Sequence, residues 1–292
     1  MNSQEFLECR RQIDTAFGRI SILEKGSGPA ALFLHGLPLC GYQWREVIAQ
    51  IGPRRRCIAP DLMGLGYSDV PSTQDVSFAA QAGMLSALLD ALNIEKVDLV
   101  GNDTGGGIAQ IFAATCPNRV RSLTLANCEV SDLWPNDLLN GFYQSVVAGA
   151  ITEAMRAMLT NTEFGQQQLG VLVYEDPAVF SSQSIQLYLQ PLLASDKRVA
   201  QFKQLADWAT NRSQLIGVTD RLKASTIPAQ VIWGDGDVVF DTDVSLSWLR
   251  RNLGGLEQIT TIPRAKLFFP EEHPRKTASL ISQFWTMLPE PA

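Results

Sequence analysis

The stretch from Val97 to Gly107 reads VDLVGNDTGGG, an apolar strand followed by a tight turn and a glycine-rich helix start. Gly101 and Gly105 flank Asp103 in a small–x–acid–x–small frame. Such a turn strains the backbone of its central residue and raises that side chain above a sheet, at a helix N-terminus that favours a carboxylate. The stretch therefore predicts an α/β fold with Asp103 as its reactive group. Simple capping of the helix is the alternative role of this aspartate.

An aspartate in this position can attack carbon rather than a carbonyl group. It would form an ester with a substrate that carries a leaving group or a strained ring, and water would then release the product. Alkyl halides and epoxides suit this chemistry.

Strand-like and helical segments alternate on both sides of this stretch. Apolar runs without polar alternation, typical of strands covered on both faces, occur at Ala30–Leu34, Arg56–Ala59, Val120–Ala126, Ala229–Trp233 and Gln258–Ile262. Two short strands, Leu7–Ile13 and Arg19–Leu23, form a hairpin, and helical patterns cover Asp75–Leu92 and Arg275–Met287. The order predicts a mostly parallel eight-stranded sheet with helices on both faces.

The alternation stops between residues 131 and 222, where a mostly helical pattern intervenes. We expect a core built from residues 1–130 and 223–292, with residues 131–222 inserted as a helical cap. Aromatic side chains of this insertion are candidates for substrate contact, among them Trp134, Tyr143 and Tyr188.

The composition is that of a globular enzyme-sized chain. The 292 residues are 46% hydrophobic and 18% charged, with a formal net charge of −6. An acidic surface repels a phosphate backbone, so a nucleic-acid partner is not expected, and no window approaches the roughly 20 apolar residues of a membrane span. The five cysteines show no metal or disulfide spacing. We expect a cytoplasmic monomer or homodimer that acts on a small molecule, without metal or cofactor.

Two further motifs, HGLP at 35–38 and PDLMGLGYSD at 60–69, complete a recognisable set with the stretch around Asp103. Together they resemble the α/β-hydrolase superfamily, specifically its haloalkane dehalogenase and epoxide hydrolase branch. The resemblance implies that the backbone N–H groups of Leu37 and Thr104 stabilise a developing oxyanion. His35 is expected to brace its loop beside the substrate pocket.

The segment VIWGDGD at 231–237 resembles the family motif whose aspartate orients the catalytic histidine, which implies this role for Asp237. Asn127 falls where some relatives place a supporting side chain next to the pocket.

The family's catalytic histidine is the point where this chain departs. In IPRAKLFFPEEHP at 262–274, Leu267 stands at the position of that histidine, and His273 follows six residues later. We expect His273 to lie beyond hydrogen-bond distance of Asp103 and Asp237, although a rearranged loop would make it the catalytic histidine. The tryptophan and asparagine that hold halide in dehalogenases are replaced by Thr104 and Leu37.

Three hypotheses follow from these residues. The first is an epoxide hydrolase-like or dehalogenase-like enzyme that acts on a small, largely apolar molecule through Asp103. The second is a cofactor-free lyase, isomerase or cyclase in which Asp103 moves a proton without forming an ester. The third is a catalytically inactive member that binds a ligand. Epoxide hydrolases protonate the opening oxygen from cap tyrosines, and Tyr143, Tyr174 and Tyr188 are the candidates by residue type.

Overall fold

The computed structural model describes residues 1–288, which are organised around one eight-stranded sheet. The strands are, in chain order, β1 (Arg10–Thr15), β2 (Gly18–Lys25), β3 (Ala30–Leu34), β4 (Arg56–Pro60), β5 (Val97–Asn102), β6 (Val120–Ala126), β7 (Ala229–Gly234) and β8 (Leu256–Ile262). Their order across the sheet is β1-β2-β4-β3-β5-β6-β7-β8. The pairs β1–β2 and β2–β4 are antiparallel and all others are parallel. The predicted mostly parallel sheet is confirmed.

Helices occupy most of the remaining described chain. The α-helices are, in chain order, α1 (Ser3–Cys9), α2 (Arg45–Ile51), α3 (Phe78–Ala91), α4 (Thr104–Thr115), α5 (Asp137–Ala148), α6 (Ala150–Thr160), α7 (Thr162–Gly165), α8 (Val171–Val173), α9 (Ser182–Leu192), α10 (Asp196–Leu205), α11 (Trp208–Gly217), α12 (Thr219–Lys223), α13 (Thr242–Asn252), α14 (Phe269–Glu272) and α15 (Pro274–Met287). Short 3-10 turns cover Gly41–Trp44, Gly52–Arg54, Pro117–Arg119 and Pro177–Val179, and one π-helical turn covers Gln166–Gly170. Within residues 1–288, no helix combines the length and the apolar character that crossing a membrane requires.

The apolar strands are covered on both faces by helices. Every residue of β3, β5 and β7 is buried, which requires helices on each side of the sheet. Helix α3 packs against α4, and α2 packs against α15. These layers hold the carboxyl ends of the central strands rigidly.

The connections reverse direction between β3 and β5. Strand β4 lies on one side of β3 and β5 lies on the other, so the loops that leave β3 and β5 turn away from each other. In open α/β sheets a crevice forms at the carboxyl ends of such a pair and binds ligands. Leu37 follows β3 and Asp103 follows β5, which places both at this crevice.

The segment between β6 and β7 contains helices α5 to α12 and no strand among its described residues. This agrees with the helical pattern expected for residues 131–222. The division of the chain into a core and a separate cap domain stays a prediction.

The expected first strand at Leu7–Ile13 begins too early, because residues Ser3–Cys9 form helix α1 and β1 begins at Arg10. From Arg10 onward the strand pairs with β2 as the expected hairpin. The Asn2 side chain accepts a hydrogen bond from the Glu5 backbone N–H at 2.9 Å, and the Glu5 carboxylate accepts one from the Asn2 N–H at 3.0 Å. This capping box starts the helix. Phe6 is fully buried and packs against Tyr42 with ring centroids 5.1 Å apart, which holds the helix on the domain.

A buried charge cluster anchors β5, the strand that leads to Asp103. The Asp98 carboxylate accepts hydrogen bonds from Arg55 at 2.8 Å, from Arg121 at 2.7 and 3.0 Å, and from the Ser122 hydroxyl at 2.7 Å. Only 1% of the Asp98 side chain is exposed. Removing one partner of such a group leaves the other charges buried without compensation.

We predict that Asp98→Ala lowers the free energy of unfolding by about 3–5 kcal/mol, because it strands two partly buried guanidinium groups. Urea denaturation measures the change. Asp90→Ala is the matched control, since Asp90 pairs with Arg119 at 2.8 Å but its side chain is 68% exposed. Such a surface pair is worth about 0–1 kcal/mol. Equal losses in the two variants would contradict a special role for the buried cluster.

Candidate active site

The turn between β5 and α4 positions Asp103 through close backbone contacts. Asp103 has φ 52° and ψ −132°, a conformation that side chains rarely adopt, and its N–H donates to the Asn127 carbonyl at 2.7 Å. A Cβ on Gly101 would lie 2.4 Å from the Gly105 carbonyl oxygen, and one on Gly105 would lie 2.3 Å from that of Leu34. Only glycine fits at these positions, so the sequence frame is a steric requirement.

The Asp103 carboxyl group lies against the loop that follows β3. The Leu37 backbone N–H donates to Asp103 Oδ2 at 2.8 Å. A Cβ on Gly36 would lie 2.6 Å from the same oxygen, so glycine is needed for this approach. Of the two expected oxyanion donors, Leu37 therefore contacts the Asp103 carboxyl directly, and Thr104 is the next residue after Asp103.

Burial raises the pKa of Asp103 from its ordinary 3.8 to about 7. The negative charge of Asp237 adds to the increase, whereas hydrogen bonds from the Leu37 and Thr104 backbones oppose it. The Asp103 side chain therefore exists near neutral pH as a mixture of acid and carboxylate. Either form is available for chemistry.

A cavity of about 180 Å³ adjoins Asp103. Its polar lining among the described residues consists of Asp103, Thr104, Glu129 and Gln168, together with the indoles of Trp134 and Trp208. Apolar side chains make up the rest, including Leu138, Phe142, Ile151, Met155, Met158, Leu172, Phe240, Leu267 and Phe268. An apolar cavity of roughly 150 Å³ accepts benzene, so the substrate is expected to be a small and largely apolar molecule.

Glu129 also lines this cavity, although its sequence motif does not predict a role in the site. Its Oε1 accepts a hydrogen bond from the Thr104 hydroxyl at 3.1 Å, and the residue is 4% exposed. Burial, together with the charge of Asp103, raises its pKa well above the usual range of a carboxylic acid. A charged residue just beyond β6, at the sheet edge where site residues converge, was the signal available in the sequence.

Asp237 follows β7 and is held by a network of hydrogen bonds. Its Oδ2 accepts from Asn127 Nδ2 at 2.7 Å, and its Oδ1 accepts from the Val239 N–H at 2.8 Å. Burial raises its pKa to about 6, against the opposing effects of these bonds, of the Phe240 N–H and of Lys266. Asn127 also accepts from the Gly234 N–H at 2.6 Å, so it joins β6 to β7 instead of lining the cavity.

Leu267 lines the cavity beside Asp103, and its carbonyl accepts from Asn102 Nδ2 at 2.9 Å. His273 lies elsewhere, between α14 and α15, with its Nε2 at 3.7 Å from a Glu175 oxygen and 4.0 Å from a Glu272 oxygen. The structure therefore does not bring His273 to the site as a catalytic residue. The loop between β8 and α14 is short, because α14 begins at Phe269, directly after the cavity-lining residues Leu267 and Phe268.

Three other expected pocket residues also lie away from the cavity. The His35 ring accepts the Leu62 N–H at 3.0 Å through Nε2 and contacts the Gly36 carbonyl through Nδ1 at 2.9 Å, so it braces the loop. Tyr188 is buried and donates to Glu271 at 3.0 Å. Tyr143 packs on Trp208 at 5.7 Å and does not itself line the cavity.

Trp134 does line the cavity, stacked on Phe78 with centroids 6.0 Å apart. Tyr174 donates its hydroxyl to Glu271 at 2.6 Å, so none of the three candidate tyrosines lines the cavity. Within residues 1–288 no three histidine, cysteine, aspartate or glutamate side chains are arranged to hold a metal ion.

Comparison with known proteins identifies the fold family. The family model described as "alpha/beta hydrolase fold" matches residues 29–254, so the chain belongs to the α/β-hydrolase fold family. Haloalkane dehalogenase 2 of Mycobacterium tuberculosis is 29% identical over 280 residues, covering 94% of each chain. An uncharacterised protein of the same organism, Rv2715, is 32% identical over 223 residues, covering 73% of this chain and 63% of that one.

Solved structures give the same result. An ancestral haloalkane dehalogenase superposes with a TM-score of 0.76 at 25% identity, covering 94% of this chain and 99% of that one. The epoxide hydrolase CorEH superposes with a TM-score of 0.78 at 24% identity, covering 96% and 99% of the two chains. The resemblance to the haloalkane dehalogenase and epoxide hydrolase branch is confirmed.

We predict that Asp103→Asn raises the free energy of unfolding at alkaline pH. Because the folded state favours neutral Asp103, the stability contributed by this acid is complete below its unfolded pKa, near 4, and is lost as pH rises through about 7. The amide cannot ionise, so urea denaturation at pH 8 should show a gain of up to about 4 kcal/mol that vanishes near pH 4.

Asp69→Asn is the control of opposite sign. Hydrogen bonds from Lys197 and Arg19 lower the pKa of this exposed carboxylate, so its small contribution is present at neutral pH and lost in acid. A loss of stability in Asp103→Asn that does not depend on pH would contradict the prediction.

Proposed function

We propose that this chain is an epoxide hydrolase-like or dehalogenase-like enzyme that reacts with a small, largely apolar molecule through Asp103. The observation that carries the proposal is the buried Asp103 carboxyl group, held by the Leu37 N–H beside an apolar cavity of about 180 Å³. The similarity to haloalkane dehalogenase 2 of Mycobacterium tuberculosis supports the choice of reaction class.

The first step forms an ester. Asp103 Oδ2 is engaged by the Leu37 N–H, which leaves Oδ1 to attack the substrate carbon. The new bond joins Oδ1 to carbon, while either a carbon–halogen bond breaks and halide leaves, or an epoxide carbon–oxygen bond breaks and its oxygen takes up a proton.

The second step hydrolyses the ester. Water loses a proton and attacks the Asp103 carboxyl carbon, and the N–H groups of Leu37 and Thr104 stabilise the resulting oxyanion. The bond between that carbon and Oδ1 then breaks, and one proton of the water passes to the departing oxygen while the other is released or returns to the proton donor. The product therefore leaves as an alcohol with the oxygen of Asp103, and the Asp103 carboxylate keeps an oxygen from water.

A second candidate function is acid–base catalysis without an ester. Two observations favour it: the pKa of Asp103 is raised to about 7, and Leu267 occupies the lining where a histidine would activate water. In this reaction Asp103 would remove a proton from one atom of the substrate and return it to another, as in a lyase, isomerase or cyclase.

We predict that incubation with a panel of small epoxides and primary alkyl bromides produces a covalent adduct on Asp103. Intact-mass analysis detects the adduct, and peptide mapping locates it. Asp103→Asn should abolish it, because an amide is a poor nucleophile. In ¹⁸O-labelled water, turnover should leave the label in the Asp103 carboxyl group.

The outcomes separate the candidate functions. If no adduct or label appears while Asp103→Asn still abolishes conversion of a substrate, acid–base catalysis replaces the proposal. If Asp103→Asn changes only the affinity for a small apolar ligand, the chain is a binding protein.

We also predict that Leu267→His shortens the lifetime of the adduct. Residue 267 adjoins the cavity beside Asp103, and a general base there typically accelerates water attack by about 10²–10⁴-fold. The decay of the adduct mass with time measures the effect. Leu267→Gln is the control that introduces a polar side chain without a base, and equal acceleration by both variants would contradict the prediction.

A further inference from the structure

Glu129 lines the cavity, and only one of its two carboxyl oxygens makes a hydrogen bond. Oε1 accepts from the Thr104 hydroxyl at 3.1 Å, whereas Oε2 is buried and has no hydrogen-bond partner among the described residues. The Glu129 backbone carbonyl accepts from Gln110 Nε2 at 2.7 Å, which fixes the residue beside α4. A buried carboxyl oxygen without a partner is costly, and in a residue that lines the cavity such an oxygen points to a ligand or a reacting group.

The side chains that could exchange a proton with a bound molecule are few. Among the described residues that line the cavity there is no histidine, lysine, arginine, tyrosine or cysteine. The Thr104 hydroxyl already donates to Glu129, and Gln168 does not ionise near neutral pH. With Asp103 used as the nucleophile, Glu129 is the remaining acid of the lining.

We propose that Glu129 is a catalytic acid and base of this site, which protonates the oxygen of an opening epoxide and then deprotonates the water that hydrolyses the Asp103 ester. The inference rests on the proposed function, because it requires the ester to form. One carboxyl group would then both protonate the epoxide oxygen and deprotonate water. The described lining of the cavity contains no tyrosine for the first task and no histidine for the second.

Glu129 gives up one proton in the first step of this reaction and regains one in the second. As Asp103 Oδ1 bonds to the epoxide carbon, the carbon–oxygen bond breaks and the oxygen takes the proton of neutral Glu129. The Glu129 carboxylate then accepts a proton from water as that water attacks the ester carbon. As the ester breaks, the second proton of the water passes to the departing alkoxide oxygen, which releases a diol and the Asp103 carboxylate and leaves Glu129 protonated again. The net reaction is epoxide plus water to diol.

The electrostatics of the site fit this alternation. Burial and the Asp103 charge raise the pKa of Glu129, so it holds a proton while Asp103 is an anion. Esterification removes that charge, which lowers the cost of ionising Glu129 when it must act as a base. The neighbouring Cys128 is kept neutral by its own burial, and Asp237 acts on the pair through its effect on the pKa of Asp103.

An alkyl bromide separates the two tasks from each other. Bromide leaves without a proton, so ester formation with a bromide does not need the acid, whereas ester formation with an epoxide does. Glu129→Gln keeps an oxygen that can accept from Thr104 but carries no ionisable proton. The experiment loads wild type, Glu129→Gln and Asp237→Asn with one bromide and one epoxide of similar size, and follows adduct mass over time between pH 5 and 9.

We expect Glu129→Gln to slow ester formation with the epoxide by about 10²-fold but with the bromide by only a few-fold, and to slow ester loss by about 10²-fold. In wild type the rate of ester loss should rise with pH, because the base must be ionised, and this rise should disappear in Glu129→Gln but remain in Asp237→Asn.

The possible failures are distinguishable. If wild type forms no adduct, the proposed function and this inference both fall. If adducts form but Glu129→Gln slows both electrophiles equally, or leaves the pH dependence of ester loss intact, only the role of Glu129 is overturned. Loss of the pH dependence in Asp237→Asn would instead make Asp237 the base. If Glu129→Gln does not fold, as judged by thermal unfolding, a pH-independent ester loss in wild type would still refute the inference.

Discussion

The contact between the turn at Asp103 and the end of β3 is the constraint on which the site depends. Gly36, Gly101 and Gly105 allow backbone atoms to approach at distances that a Cβ would block. Through this approach β3, β5 and α4 meet at one point, and the Leu37 N–H reaches the Asp103 carboxyl group. The strained φ of Asp103 persists because these surroundings leave its backbone no other course. A larger residue at any of the three glycines would separate the Asp103 carboxyl group from its hydrogen-bond donor.

The buried acids of the site lack the cationic partners that the buried Asp98 has. Asp98, also buried, is compensated by two arginines. Asp103 and Glu129 have no such cation among the described residues that line the cavity, and they are stabilised by hydrogen bonds alone. Acids in this environment favour their neutral forms, and the pKa of Asp103 is raised to about 7. Stability is reduced locally to keep these groups reactive, and the large apolar core offsets the loss.

Much of this structure could be predicted from the sequence, and the exceptions have physical reasons. The buried strands could be predicted because they are unbroken apolar runs. The placement of Asp103 at a tight turn could be predicted because its neighbours Gly101 and Gly105 are small. Helix α1 was mistaken for a strand because its identity rests on a reciprocal bond between Asn2 and Glu5 rather than on periodicity. The pocket tyrosines were misplaced because Tyr188 satisfies its hydroxyl on Glu271, a partner 83 residues away. Glu129 was missed because a single acid after a strand resembles many surface residues.

The lining of the cavity also determines how material is exchanged with water. An apolar reactant gains about 0.8 kcal/mol for each methylene that it removes from solvent on entry. A product with new hydroxyl groups loses about 1–3 kcal/mol for each one that finds no partner among the largely hydrocarbon walls. The apolar lining therefore favours binding of an apolar reactant and disfavours binding of a more polar product. The cavity resembles a small organic phase, and in the proposed reaction the gain in polarity from reactant to product would favour release of the product.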